Sequence, residues 1–538
     1  MNVDINLPNS QRHDFERKMS SSVHMQSRRI TLATIGTRGD VQPLIALAQA
    51  LIKKGHIVKI ATELRLKSYV EAFGITHVAL YGDSVEYVVT NSRYNSGSEG
   101  TLFSTLSTSE QKEPNAALVL QSYRVALADA EVIVATSYAI NLAYSVAQSL
   151  RVPFVPLFLQ PVMPTSEFVS LFTTPLLDRL CFFNKKWTHK YLFSSAWGAH
   201  NKALGQNEWR QNTLGLPPIG KYGMLDELCM NPDIPVLMAC STLTCGRNKC
   251  KPKDYDDRMH VGGLLFVEYK EPTIDPRLLT FLSQEDMSRC EVEEGKVEVS
   301  SDSFHKKRPI IYISYGSMTI PDPLSFLRMV CEVCTMVQCR AVLVAGWSDF
   351  AASTSCIEVL NAHEGTVFLA QSVNHEWLFP RMQCIVHHCG MGTMGAVLRS
   401  GTPSIPCPKV YDQLKLAKLL VDHGLAPCQI PFDQINKTNL SKALKMIFDA
   451  KYSADYDQAC ILKNCEETAK YVEQESKDSL MMYCDVIASA DGNKQWKKYK
   501  ASSSAPKVTR VANSQLVTTP QAVEFLTNLH LISGPCQP

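Results

Sequence analysis

The sequence lacks charge of one sign. Lys and Arg total 54 against 52 Asp and Glu, a formal +2, so no field gathers a polyanion, and nucleic acid is not the expected partner. Cysteine is absent before Cys181, although the chain has 18. The thiols are scattered among apolar residues instead of forming a framework, which excludes a disulfide scaffold and points to a reducing compartment. No long apolar run occurs either. The nearest, VPFVPLFLQPVMPTSEFVSLFTTPLL from Val152, is broken by Pro153, Pro156, Pro161, Pro164 and Pro175 and contains Glu167, so it reads as an apolar loop region and not as a membrane span. The opening MNVDINLPNSQRHDFERKMSSS has no apolar core of the kind a secretory signal needs. The expected compartment is the cytoplasm.

What is present is alternation. RRITLATIG from Arg28 is a β-branched apolar run. After TRGDVQP, LIALAQALIKKG repeats Leu44, Leu47, Ala48 and Leu51 at helical spacing, with Pro43 expected in its first turn, and HIVKIAT follows as a second strand. Strand, helix and strand in so short a span form a right-handed βαβ unit and imply a parallel sheet. THVALYG, AEVIVATS and RVPFVPLF continue the first half. IPVLMACS, MHVGGLLF, RPIIYISYGS, AVLVAGW, GTVFLAQ, QCIVHHCG and TPSIPCPK make a second series. At 538 residues the chain is too long for one core, and two doubly wound α/β domains with parallel sheets are expected.

In such sheets ligands bind beyond the carboxyl ends of the strands. Four loops there carry chemistry. GTRGD ends in Asp40, which either faces the crevice or caps the following helix. YGSM places Gly316 and Ser317 at a strand end, where N–H and hydroxyl donors can meet a phosphate. IVHHCGMGTMG brings His388, Gly390, Gly392 and Thr393 to a helix N-terminus, suited to a diphosphate because exposed N–H groups and the helix dipole both favour negative charge. YDQ sets Asp412 and Gln413 just before a helix, fit for sugar hydroxyls or for capping. No metal is expected. His387 and His388 are strand neighbours that point apart, the CxxC of Cys331 and Cys334 lacks a complementary pair, and the DYD at Asp254–Asp256 follows a Lys-rich surface loop.

Taken in order, GTRGDVQPLIALAQALIKKGHIVKIAT, YISYGSMTIPDP, HEWLFPRMQCIVHHCGMGT, LRSGTPSIPCP and YDQ resemble the UDP-glucose-dependent sterol glucosyltransferases and the related bacterial antibiotic glycosyltransferases, over roughly residues 30–450. The resemblance implies the GT-B fold, two Rossmann-like domains facing each other across a cleft. It also implies inverting, cofactor-free and metal-free transfer of glucose from UDP-glucose to a lipophilic alcohol such as a sterol, giving a β-glucoside. His388, Gly390, Gly392, Thr393, Gly316 and Ser317 would hold the diphosphate, the backbone near Ser372 and Val373 the uracil, and Asp412 and Gln413 the hexose. Asp40 would be the general base. Two departures stand out: Cys389 and Met391 where the family usually has HHGGAGT, and Tyr411 where glycine commonly precedes Asp-Gln.

On this reading residues 1–27 form a flexible tail, 28–225 the acceptor domain and 226–450 the donor domain, with an acidic insertion at 280–308. Residues 451–490 form a helical segment and 491–538 a second flexible tail. Arg38, Phe158, Phe168 and Phe172 are candidates for an acceptor funnel in an aromatic-rich region that could touch a membrane surface transiently, in a protein peripheral to membranes. The alternatives are another lipid or secondary-metabolite acceptor (hydroxy fatty acid, glycolipid, polyketide), or a non-catalytic nucleotide-sugar or lipid-binding protein on the same scaffold.

Overall fold

The computed structural model describes residues 26–83, 115–136, 139–173, 175–180, 183–193, 198–220, 223–245, 250–269, 274–283, 308–316, 320–346, 348, 350, 353–409, 412–449 and 458–497. Ser317, Tyr411, most of the acidic insertion and the tail beyond 497 lie outside them.

The apolar runs form parallel strands. β1 (Arg29–Ala33), β2 (Ile57–Glu63), β3 (Thr76–Leu80), β4 (Val132–Ala135), β5 (Phe154–Phe158), β6 (Val236–Met238) and β7 (Met259–Val261) make a seven-stranded sheet of order β3-β2-β1-β4-β5-β6-β7. β8 (Ile310–Ser314), β9 (Arg340–Val344), β10 (Val367–Ala370), β11 (Cys384–His387) and β12 (Ser404–Pro406) make a five-stranded sheet of order β10-β9-β8-β11-β12. β4, β5, β8, β9 and β11 are buried at every position, because helices cover both faces of a parallel sheet and leave no wet side for polar alternation. The sheets carry separate cores, one built on Leu142, Phe154 and Trp209, the other on Leu327, Leu343 and Leu444.

Two domain boundaries need correction. The division expected at 225/226 falls inside the first sheet, because β6 pairs with β5 and β7 with β6, so the first domain runs on through Val261. The tail expected from Asp491 begins later. Residues Gly492–Gln495 form a short helix and Trp496 is fully buried, its Nε1 donating to the Val152 carbonyl at 2.8 Å. Gln495 acts as an extra partner at the start of β5: Phe154 N donates to its Oε1 at 2.8 Å and its Nε2 donates to the Phe154 carbonyl at 3.1 Å. An aromatic ring and a carboxamide in a polar stretch show no periodicity, so the sequence pattern gave no sign of this docking.

The helix Gln458–Ser489 ties the domains together. Its first half packs on the helix Met391–Ser400 of the second domain, with Arg399 bonded to Glu473 at 2.8 Å. Its second half enters the core beside β1, where Tyr483 donates to the Met238 carbonyl at 2.8 Å. No described helix is long and apolar enough to cross a membrane.

Candidate active site

The cleft is built from loops at the carboxyl ends of strands of both sheets. After β1 the chain turns at Gly36 (φ +130°), where a Cβ would lie 2.3 Å from Asp40 Oδ2, so only glycine lets the carboxylate fold back. Thr37 caps the helix Arg38–Lys53. Its N–H donates to Asp40 Oδ2 at 2.8 Å and its hydroxyl to the same oxygen at 3.2 Å, while Gly39 N donates to Thr37 Oγ1 at 3.2 Å. Asp40 therefore completes a capping box. Pro43 sits inside this helix and not in its first turn, which removes the donor that would meet the Gly39 carbonyl. Arg38 lies 4.5 Å over the Tyr69 ring. Its guanidinium is also one cause, after burial, of the lowered pKa of His375, to about 4, and His388 is the next. Arg38 of the first domain thus lies near enough to His375 of the second for its charge to be felt there.

The donor loop is shaped around the His388 ring. A Cβ on Gly316 (φ +60°) would come within 2.5 Å of its Cε1, and one on Gly390 within 2.4 Å of its Nε2, so the imidazole lies between two glycines. The ring is buried, and burial lowers its pKa to about 4. It is uncharged at neutral pH, and its Nδ1 has no hydrogen-bond partner among the described residues. Gly390 caps the helix Met391–Ser400, whose first N–H groups have no acceptor within the helix. Next to Gly392 there is open space, whereas a Cβ on Gly395 would meet Leu264 Cδ1 at 3.1 Å. These three glycines spell GxGxxG directly after a strand and into a helix, a phosphate-turn spacing that the sequence reading passed over: tight turn, close approach for an anion, and close helix packing. Cys389 is buried at φ +64°, a left-handed conformation that explains why glycine is usual there in the family the chain resembles.

Asp412 begins the helix Asp412–Asp422, beyond β12. It is half-buried. Even so, desolvation pushes its carboxyl up to about 6, against the backbone N–H groups of Gln413 and Asp412 and the side chain of Gln160. Gln160, from the loop after β5, donates through Nε2 to Asp412 Oδ2 at 2.7 Å across the cleft. Gln413 is buried and its Oε1 accepts from Lys409 N at 3.0 Å. One turn on, Lys415 donates to the Ser170 carbonyl at 2.5 Å, to Thr173 Oγ1 at 2.7 Å and to Asp178 Oδ1 at 3.0 Å. Ser372 is exposed and Val373 half-buried just after β10.

The aromatic candidates separate. Phe158 is buried edge-on to Phe193 at 6.1 Å and serves the core, which corrects its assignment to a funnel: it ends a strand whose two faces are covered. Phe172 packs between the first core and the cluster around Leu416 and Leu171. Phe168 is half-buried, edge-on to His189 at 5.7 Å. Asp254 accepts from Thr165 Oγ1 at 2.7 Å and Ser166 N at 2.9 Å and pairs with Lys186 at 2.9 Å, so the DYD residue anchors this loop. Among the described residues no three His, Cys, Asp or Glu side chains gather as metal ligands. Sequence reasoning missed Gln160, His375 and Lys415. Only Gln160 carried a signal, a polar residue at a strand end inside an apolar run.

Two parallel-sheet α/β domains meeting at a cleft, with a phosphate-type turn on one side, define the GT-B class of glycosyltransferase scaffold. Solved structures agree with that fold: a Polygonum tinctorium UDP-glucosyltransferase (TM-score 0.56, 12% identity, 86% of this chain and 99% of that one) and the calicheamicin glycosyltransferase CalG4 (TM-score 0.55, 14% identity, 87% and 99%). Residues 30–167 match the model of the glycosyltransferase family 28 N-terminal domain. Within that fold, the chain is similar to curated sterol 3-beta-glucosyltransferases: it is 30% identical over 427 residues to the one from Pichia angusta (79% of this chain, 31% of that protein). The Komagataella phaffii enzyme is 28% identical over 477 residues (87% and 35%). The chain spans about a third of the length of these curated relatives.

Proposed function

We propose that this protein transfers glucose from UDP-glucose to the hydroxyl of a sterol, with inversion, giving a steryl β-glucoside. The observation that carries the reading is the likeness to the Pichia angusta sterol 3-beta-glucosyltransferase across 79% of the chain. In the proposed reaction the acceptor oxygen attacks the anomeric carbon as Asp40 takes its proton, and the bond from that carbon to the diphosphate oxygen breaks. The departing UDP is held by the open N–H groups at Gly392 and Thr393 and by the neutral His388 ring, with positive potential from the helix N-terminus and from Arg38 across the cleft. Ser372 and Val373 receive the uracil and Asp412 the hexose. No metal or other cofactor is assigned to the step.

A sterol arrives from a lipid phase, so contact with a membrane surface belongs to the same proposal. Leu180, Trp187 and Tyr191 stand out on the two short helices Pro175–Leu180 and Lys185–Leu192, and Phe183 (96% exposed) in the turn before the second, with Trp187 and Tyr191 stacked at 5.4 Å. The test is incubation of purified protein with UDP-[14C]glucose and sterols in detergent, following labelled lipid and released UDP. Labelled steryl glucoside is expected. UDP-glucose binding without transfer to any sterol, but with transfer to a hydroxy fatty acid or polyketide, would move the acceptor assignment. Absence of binding would remove the donor assignment.

A further inference from the structure

We propose that Gln160 is a positioning residue for the donor sugar: reaching from the acceptor domain, its carboxamide fixes the Asp412 carboxylate so that one oxygen is held and the other is left to face the hexose. The inference rests on the reading of Asp412 as the sugar-holding carboxylate.

The geometry is specific. Gln160 lies two residues beyond the end of β5 and is held there by Val162 N, which donates to its carbonyl at 2.9 Å. Its Nε2 reaches Asp412 Oδ2 at 2.7 Å. Gln413, the residue that would share the sugar with Asp412, has its Oε1 turned back onto Lys409 N, so the side-chain amide that addresses the Asp412 carboxyl comes from the opposite domain. The groups facing that carboxyl are Gln160, the N–H groups of Asp412 and Gln413, and the Cys389 thiol, which Asp412 pushes further up. The ammonium one turn on, Lys415, is turned to Asp178.

Burial works against ionisation of Asp412 and the Gln160 amide works for it. A protonated Asp412 would spend one oxygen as an O–H donor and lose an acceptor, so holding it ionised sustains its capacity to accept from two sugar hydroxyls. The same bond makes the acceptor domain a partner in donor recognition, since a shift of the β5 loop moves the carboxylate.

Lys415 provides the internal control. It joins the same helix to the same acceptor-domain segment, through Ser170, Thr173 and Asp178, without touching the carboxyl. The experiment measures UDP-glucose binding by calorimetry, and transfer kinetics, from pH 5 to 8 for the wild type, Gln160→Leu, Gln160→Glu and Lys415→Met. In the wild type, affinity should fall as the pH drops through about 6. Gln160→Leu should weaken UDP-glucose about tenfold at pH 7, the loss expected for one hydrogen bond to a charged group. It should leave acceptor KM within about twofold and move the acid limb to higher pH, so that raising the pH restores binding. Gln160→Glu, which sets two carboxyls side by side, should move that limb at least as far. Lys415→Met should lower thermal stability and leave the limb in place. A wild-type limb and donor affinity in Gln160→Leu, or an equal movement of the limb in Lys415→Met, would overturn the proposal while the transferase reading stands. A wild type that binds no UDP-glucose would overturn both.

Discussion

Two glycines decide where the His388 ring can sit, and a third residue, Asp40, closes the capping box at Thr37 and is also the proposed base. At Gly390 a methyl group would overlap the imidazole at 2.4 Å, whereas at Gly392 it would meet nothing within 4 Å. Gly390→Ala should therefore lower both the thermal midpoint and UDP affinity. Gly392→Ala should leave the midpoint unchanged or raise it, alanine being the better helix former by about 1 kcal/mol, yet weaken UDP by blocking the approach of the diphosphate. Calorimetry beside thermal melts separates the two, and a Gly392→Ala protein that binds UDP normally would remove the diphosphate from that turn. For Asp40, asparagine keeps an oxygen to accept from Thr37 but cannot take a proton. Asp40→Asn should cut turnover by about 10²–10⁴ with UDP-glucose binding intact, while Asp40→Ala should add a stability loss of about 1 kcal/mol from the broken capping box. Normal turnover in Asp40→Asn would exclude it as the base.

At the scale of elements, the strap formed by Gly492–Gln495 and Trp496 is the cheapest to test. Trp496 is wholly buried against Tyr144 (ring centroids 5.6 Å apart) with its N–H satisfied by Val152. Trp496→Ala should cost about 3–5 kcal/mol, the usual loss for a buried large aromatic, read as a fall in the urea midpoint with an unchanged slope. A loss under about 1 kcal/mol would mean that the strap is not part of the cooperative fold. The strap also marks where reading the sequence runs out. β1, β8, β9 and β11 were legible because an apolar run that ends at glycine or histidine fixes both the strand and the loop beyond it, and the cleft loops followed from that. Which sheet takes β6 and β7 was not, since three-residue strands carry no register of their own and their place is set by β6 pairing with β5 and β7 with β6. The GxGxxG turn was legible in principle. The Gln160 to Asp412 bond was not, because it joins residues 252 apart in the chain, and nothing local to either announces the other.

For the whole molecule, the donor cleft is also the place where acid should act first. His375, His387 and His388 meet there with pKa values lowered to about 4, 3 and 4, in each case mainly by burial. Each stays neutral in the folded chain while the unfolded chain takes up a proton near 6.5. Their contribution to stability is complete above pH 6.5 and is lost as the pH falls from there towards 4. Asp412 works in the opposite sense: its folded value of about 6 lies above the ordinary 3.8, so the folded state gains stability as the pH falls from 6 towards 3.8. In the cleft, three imidazoles against one carboxyl give a net uptake of about two protons on unfolding, a slope of about 2–3 kcal/mol per pH unit through pH 5, and His189 and His200, which burial also lowers to about 4, add about two more in the same sense. Urea midpoints at pH 7, 6 and 5 should fall accordingly, and His388→Gln, which removes one of the net four protons, should flatten the fall by about a quarter. UDP binding should be lost over the same interval, since Asp412 protonates and the cleft loosens together. A midpoint that is level from pH 7 to 5 would mean that the imidazoles are hydrated in solution, and with that the dry, neutral setting of His388 on which the proposed diphosphate site rests would be gone.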